Sequence, residues 1–437
     1  MNDSADQDPR PISAVSHGVG LAGLAGLLGW ILVAHLHRMD GPYAATIAIF
    51  ACGVPMILWS VLMDKVHRNP STGMDWDGAG RPWGDVFDSA VTKLLGLWAT
   101  WALIAVFYGM GRWYWRDAYL AVMELLIAAL PFMLILSIPY VIFVDRRMTS
   151  PKDGLLVFGR WLLRRHDPLD DELLYDHLRA WGVKAFFTAF MIAIVPGNWA
   201  EMIRWHESNS ITDPVGISRW LIAMMFLFDV AFATVGYVLT CKPLDSHIRT
   251  ANPYAAGWVA ALICYPPFIL MGDGGPLDYH PGTAEWTYWL AGHPWLLALV
   301  GGALVVLTAI YAWATMVFGL RFSNLTHRGI LTHGPYAWSK HPAYVSKNLF
   351  WWLSMMPLLT TGTWVDMIRA CALMAVVSGV YYWRARTEER HLLRDPQYVA
   401  YADWMERHGP VPRLIGRLRR AMGMRAPIYR TAVGDAV

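Results

Sequence analysis

The strongest constraint in this sequence is a succession of apolar runs about 20 residues long, each able to carry an α-helix through the roughly 30 Å hydrocarbon layer of a bilayer. They fall near residues 18–36, 43–63, 90–110, 118–144, 185–203, 219–241, 254–272, 293–318, 343–360 and 363–383. In lipid the backbone must satisfy its own polar groups, and runs of this length select helices over barrel strands. The expectation is therefore an all-α, polytopic integral membrane bundle of about ten transmembrane helices. Composition agrees, because 56% of residues are hydrophobic and only 16% charged, against about 25% charged in soluble domains. A soluble globular enzyme is excluded. The run at 185–203 is interrupted by Pro196-Gly197 and followed by Glu201, and the run at 343–360, ended by Pro357, can instead form part of a bent hairpin.

Lys and Arg accumulate in cytoplasmic loops, which orients the spans. With the C-terminus cytoplasmic, the outer segments hold only Arg38, Arg112, Arg116, Arg204, Arg219 and Arg369 of the 36 basic residues. This asymmetry predicts an even span number and both termini in the cytoplasm. The excess of Arg over Lys points to a GC-rich bacterium and hence to its inner membrane. Asp3, Asp6 and Asp8 stand against a lone Arg10, the wrong charge for a secretory leader, so the N-terminus is expected to be retained. Net charge is only +3, and no stretch interleaves basic with aromatic residues on a water-soluble face, so no nucleic-acid partner is expected. Cys52, Cys241, Cys264 and Cys371 are scattered without C-x-x-C spacing and read as free core thiols.

Several segments suit contact with headgroups or neighbouring helices. The loop from Asp145 to Lys184 interleaves Arg160, Arg164, Arg165 and Arg179 with Trp161, Leu162, Leu163, Leu173, Leu174 and Leu178, the pattern of one or two amphipathic helices at an anionic leaflet or of a solvated face that fixes topology. Arg417, Arg419, Arg420 and Arg425 repeat the theme in the tail. Gly20, Gly23, Gly26 and Gly29 permit close helix packing in the first span. Glu124 and Asp229 lie inside predicted spans, where ionisable groups find a partner or a cavity and interhelical hydrogen bonding is the first expectation. Lys242, Asp245, His247, Arg249 and Asn252 form a polar cytoplasmic cluster able to close over a cofactor or bind a headgroup.

Chemistry concentrates after the eighth run, in the tract from Arg328 to Tyr344. A Gly334-Pro335 turn and a His341-Pro342 step at the mouth of a hydrophobic run fix the backbone and hold His341 near Tyr344. The last run ends in Arg384-Ala385-Arg386-Thr387-Glu388-Glu389. On a continuing helix Arg384 and Glu388 are i and i+4 and share a face at the membrane boundary. A guanidinium there orients a carboxylate or phosphate, and a carboxylate binds an ammonium or ribose hydroxyls. The plainer reading is a surface Arg-Glu pair worth a few tenths of a kcal/mol.

The combination G-P-Y-x-x-x-x-H-P-x-Y (Gly334 to Tyr344), E-E-x-x-L (Glu388, Glu389, Leu392), Y-x-x-Y (Tyr398, Tyr401) and P-R-L-I (Pro412 to Ile415) resembles the isoprenylcysteine carboxyl methyltransferase and phospholipid methyltransferase superfamily. The resemblance covers roughly residues 290–416. It implies S-adenosyl-L-methionine (SAM)-dependent methyl transfer, with the cofactor on the cytoplasmic side and a lipid-like or isoprenoid acceptor entering from the membrane. It implies SAM contacts from Arg328, Gly329, Ile330 and Leu331, from Tyr336, from His341, Pro342, Ala343 and Tyr344, and from Glu388, with Arg384 at the acceptor. A carboxylate acceptor needs no general base; for an amine, His341 or Glu389 would take the proton. Lys340 stands where the family usually has arginine, and no F-G step precedes Tyr398.

The expected division is an N-terminal membrane module over 1–241, a linker and span over 242–289, and a methyltransferase-like domain over 290–437. Two other functions compete. Membrane sterol and steroid reductases bind NADPH at a similar H-P-x-Y hairpin, but usually read R-H-P-N-Y where this chain has Ala343. A transporter or scaffold would use Pro131, Pro139, Pro196 and Pro266 as helix breaks around a site. No metal site is expected.

Overall fold

A computed structural model describes residues 10–165, 167–204 and 213–421. Asp3, Asp6, Asp8 and Arg425 lie outside them. The described chain is mostly helical. In order it forms α1 (His17–Leu36), α2 (Pro42–Leu58, continued by a wider turn to Met63), α3 (Trp83–Met110), α4 (Asp117–Arg147), α5 (Gly154–Leu162), α6 (Asp171–Arg204) and α7 (Pro214–Val238). There follow β1 (Thr250–Ala251), α8 (Ala255–Leu262), α9 (Trp286–Trp289), α10 (Pro294–Met316), β2 (Thr326–His327), α11 (Pro342–Met355), α12 (Trp364–Leu392), α13 (Pro396–His408) and α14 (Pro410–Ala421).

Eight helices among the described residues are long and apolar enough to cross a membrane: α1 to α4, α6, α7, α10 and α12. The other two expected spans are built differently. The run at 254–272 is helical only as far as Leu262, because Pro266-Pro267 lack the N–H groups that would continue it. The run at 343–360 stops at Met355, where Met356 turns left-handed ahead of Pro357. By contrast Pro196 does not end α6, which runs unbroken for 34 residues and absorbs part of the loop expected to lie at the membrane surface. Proline is tolerated inside membrane helices where neighbours re-satisfy the backbone.

Helices α7 and α10 run parallel. Near their starts Gly301 lies against Ser218, and toward their ends Asp229 accepts from Tyr311 Oη at 2.9 Å and from Thr315 Oγ1. Glu124 by contrast is exposed on α4 and makes no hydrogen bond among the described residues. Two parallel neighbours need a return pass between them, supplied by α8 and the turns over 263–293. Part of this irregular stretch is covered by protein: Met271 and Tyr279 pack against Met374, Val377 and Tyr381 of α12 and Trp351 of α11, while Arg369 donates to Asp278 O at 3.0 Å; Phe268 and Ile269 stay exposed.

The central core joins α1, α2, α6, α7 and α10 through Leu27, Met56, Trp199, Leu227, Phe232 and Ala312. Gly26 lies against the Ala51 carbonyl and Pro55 of α2, too close for a Cβ. The segment before α1 runs beside the tract after β2: Ala14 N donates to Ile330 O, and Thr332 Oγ1 to Pro11 O, both at 2.8 Å. β1 pairs antiparallel with β2, Thr250 opposite His327. Asp245 ties distant loops together, accepting from Ser71 Oγ and Arg321 Nη2 at 2.7 Å and from Asn69 Nδ2 at 2.9 Å.

Candidate active site

Helix α12 has 29 residues, about 43 Å at 1.5 Å per residue, so it outruns a ~30 Å hydrocarbon layer. Its last turns carry Arg384, Glu388 and Glu389. His341 caps α11 and Pro342 occupies its first position, where a missing N–H costs nothing. This places the His341 and Tyr344 rings in parallel, 5.6 Å apart, beside the end of α12.

The two adjacent glutamates then divide their work. Buried Glu389 is held by three donors: Lys340 Nζ at 2.8 Å and His341 Nε2 at 3.0 Å from Oε1, and Arg386 Nη1 at 2.9 Å from Oε2. It anchors the His-Pro step to α12. Half-buried Glu388 instead accepts from Tyr344 Oη at 2.9 Å and faces a cleft shared with Asn252, Asn324, Thr387 and His391. A carboxylate offers about four acceptor positions, so Glu388 keeps capacity for a ligand.

Arg384 and Glu388 form no ion pair, although they share a face. Arg384 lies over the rings of Tyr344 at 5.1 Å and Tyr265 at 5.4 Å. Its Nη2 donates to Asn324 Oδ1 and, at 3.3 Å, to Tyr265 Oη. Asn324 is itself held by Tyr237 Oη, which accepts from its backbone N at 2.7 Å and from Nδ2 at 2.8 Å. Arg384 is only 6% exposed and has no carboxylate partner among the described residues. A buried guanidinium without a counter-charge is a standing demand for an anion.

The tract from Arg328 to Leu331 is deeply embedded. The Arg328 guanidinium donates to five backbone carbonyls: Gly236, Phe322 and Leu320 at 2.8 Å, Leu239 at 3.2 Å, and Ser246, which it meets through both Nε and Nη2. Gly329 has φ 113° and lies against Arg321 and Ala14. Ile330 packs on Tyr398, Tyr401 and Trp404 of α13, and Leu331 joins the central core. Tyr336 accepts from Tyr401 Oη at its carbonyl, 2.8 Å away. Burial, then the Glu388 carboxylate, push the Tyr336 phenol well above its ordinary range. Pro342 is buried and Ala343 half-buried. Burial and the adjacent Arg321 and Arg249 outweigh the Asp395 carboxylate, 3.1 Å away, and hold His327 neutral with a pKa of about 4.

The cleft was only partly foreseeable. Tyr265 lies in an apolar run, Asn324 lies outside the motif spacing, and His391 follows the double glutamate without a pattern of its own. Lys347, which with Asn348 opens the run at 343–360, faces the rings of Trp351 at 5.2 Å, Tyr311 at 5.3 Å and Tyr381 at 5.8 Å.

A carboxylate with spare acceptor positions beside stacked aromatic rings fits a cofactor bearing an ammonium, ribose hydroxyls and a sulfonium. No curated protein and no solved structure matches the chain. Its C-terminal part, residues 295–394, matches the model of the isoprenylcysteine carboxyl methyltransferase (ICMT) family.

Proposed function

We propose that the protein is an integral membrane methyltransferase that uses SAM and methylates an anionic, lipid-like acceptor. The observation that carries this reading is the pairing of an uncompensated buried Arg384 with a partly unsatisfied Glu388 on one face of α12. Glu388, Tyr344, Asn252 and Thr387 would hold SAM, which when bound supplies an electrophilic methyl on a sulfonium. Catalysis of such a displacement needs alignment and exclusion of water more than acid or base chemistry. Arg384, fixed by Tyr265 and Asn324, would orient the acceptor's anionic oxygen. Glu389 is committed to Lys340, His341 and Arg386, and His341 to Glu389, which favours a carboxylate acceptor over an amine that must lose a proton. Parallel α7 and α10 favour ten passes, an even number that puts the termini on one side, and the Lys/Arg distribution supports a cytoplasmic one.

The test is calorimetric titration of the detergent-purified protein with SAM, S-adenosylhomocysteine and NADPH. Saturable binding of the first two is expected. Glu388→Gln should weaken both by roughly 10- to 100-fold, the loss of one or two charge-assisted hydrogen bonds. Arg384→Ala should leave SAM affinity within about threefold while lowering turnover on acceptor from labelled membrane extracts. Binding of NADPH alone would move the protein to the reductases, and equal SAM affinity in all three proteins would refute the assignment of Glu388.

A further inference from the structure

A second cavity, of about 220 Å³, opens at the same end of the helices between α3, α4, α6 and the segment before β1. It shares no residue with the cleft at Glu388. The wall between them is β1, where Thr250 lines the second cavity and bonds His391 of the first, Oγ1 to Nε2, at 3.0 Å.

The carboxylates of this cavity are already matched. Asp145 pairs with Lys93 at 2.7 Å and Arg81 at 2.9 Å; Asp153 pairs with Lys93 at 2.9 Å and caps α5 through Leu156 N; Asp176 pairs with Arg179 at 2.7 Å. Two cations are not, and a third is matched only loosely. Lys184 lies over the Trp181 ring at 4.0 Å, and Lys242 reaches only Met148 Sδ at 3.9 Å; neither has an ion pair among the described residues. Arg249 stands 3.8 Å from Asp245, whose other oxygen is taken by Arg321. Arg249 Nε, His247 Nδ1 and Thr240 Oγ1 are buried without a hydrogen-bond partner among the described residues. Burial followed by Lys242 keeps His247 neutral, with a pKa of about 4. Half-buried cations and orphaned polar atoms in one cavity cost stability unless something fills it.

We propose that this cavity binds a phosphate-type oxyanion through Lys184, Lys242 and Arg249, with His247 and Thr240 completing the hydrogen bonds. A tetrahedral, multiply charged group matches three cations better than a single carboxylate does. Tyr140, Val141, Leu155, Leu173 and Trp181 supply an apolar wall on which an acyl chain can lie. The same chemistry is offered by a lipid headgroup or by free phosphate. The site stands independently of methyl transfer.

The experiment is native mass spectrometry and calorimetry of the full chain in detergent, titrated separately with short-chain phosphatidic acid and with inorganic phosphate. Saturable one-to-one binding of either supports the site, and the tighter of the two identifies the source. The double variant Lys184→Gln with Lys242→Gln should weaken binding at least about tenfold, while Lys184→Arg with Lys242→Arg should retain it. Should the double variant not fold, Lys242→Gln alone, on the half-buried loop, carries the comparison with an expected loss of at least about threefold. Absence of saturable binding to the unaltered protein, or equal affinity in the Gln variants, would overturn the proposal.

Discussion

Replacing Arg328 by lysine separates two roles for the tract that follows β2. Arg328 is 3% exposed, and its guanidinium serves the carbonyls of Gly236, Leu239, Ser246, Leu320 and Phe322. An ammonium has three donors on one atom, so at least two of the five carbonyls lose their partner. A buried acceptor left unsatisfied costs about 1–3 kcal/mol, giving a destabilisation of about 2–6 kcal/mol for two. The assay has two readouts: thermal unfolding of the detergent-purified protein, and SAM affinity measured per folded molecule at a temperature where the variant is native. The expected result is a clear loss of stability with SAM affinity within about threefold. A variant as stable as the parent that no longer binds SAM would refute the reasoning and put the Arg328 side chain at the cofactor.

Three further outcomes are expected. Glu389→Gln removes the buried carboxylate charge that Lys340, His341 and Arg386 share, and should lower stability by about 3 kcal/mol; rescue by Glu389→Asp, read by thermal unfolding, would be partial. Gly26→Leu must push α1 off α2 at Ala51 and Pro55, at about 1–3 kcal/mol, visible as a lower midpoint in the same scan. Burial, with His17 and Arg10 nearby, holds His333 at a pKa of about 4, below its ordinary 6.5. The unfolded chain therefore binds the extra proton, and the stability contributed is present above about pH 6.5 and lost as pH falls toward 4. His333→Gln should flatten that part of the stability profile; an unchanged profile would show that His333 contributes nothing.

Much of the architecture was legible because bilayer thickness imposes a length on apolar runs, and eight of the ten runs became helices of spanning length. The two that did not are those where local chemistry overrides hydropathy: Pro266-Pro267 ends α8, and Met356 with Pro357 ends α11. Pro196 misled in the other direction, since a proline signal cannot say whether neighbouring helices will hold a helix together. At the cleft, the motif brought His341, Tyr344, Glu388 and Glu389 to notice because their spacing is local to one hairpin. The partners of Arg384 were not legible. Tyr265 and Asn324 are 119 and 60 residues away in sequence, and which face of α12 meets them is decided by packing alone. The i, i+4 spacing of Arg384 and Glu388 suggested a pair; the structure instead gives each its own partners.

The hydrogen bonds from Arg384 through Asn324 to Tyr237 have an evolutionary consequence. Tyr237 and Tyr265 lie upstream of the stretch that matches a known family, so the pose of Arg384, the cation proposed to orient an acceptor, is governed by residues outside that stretch. Substitutions in α7 or in the irregular return pass can retune substrate choice while every familiar motif stays intact. Chains with identical C-terminal signatures and unlike N-terminal halves would then diverge in what they modify, and sorting them by the signature alone would merge distinct activities.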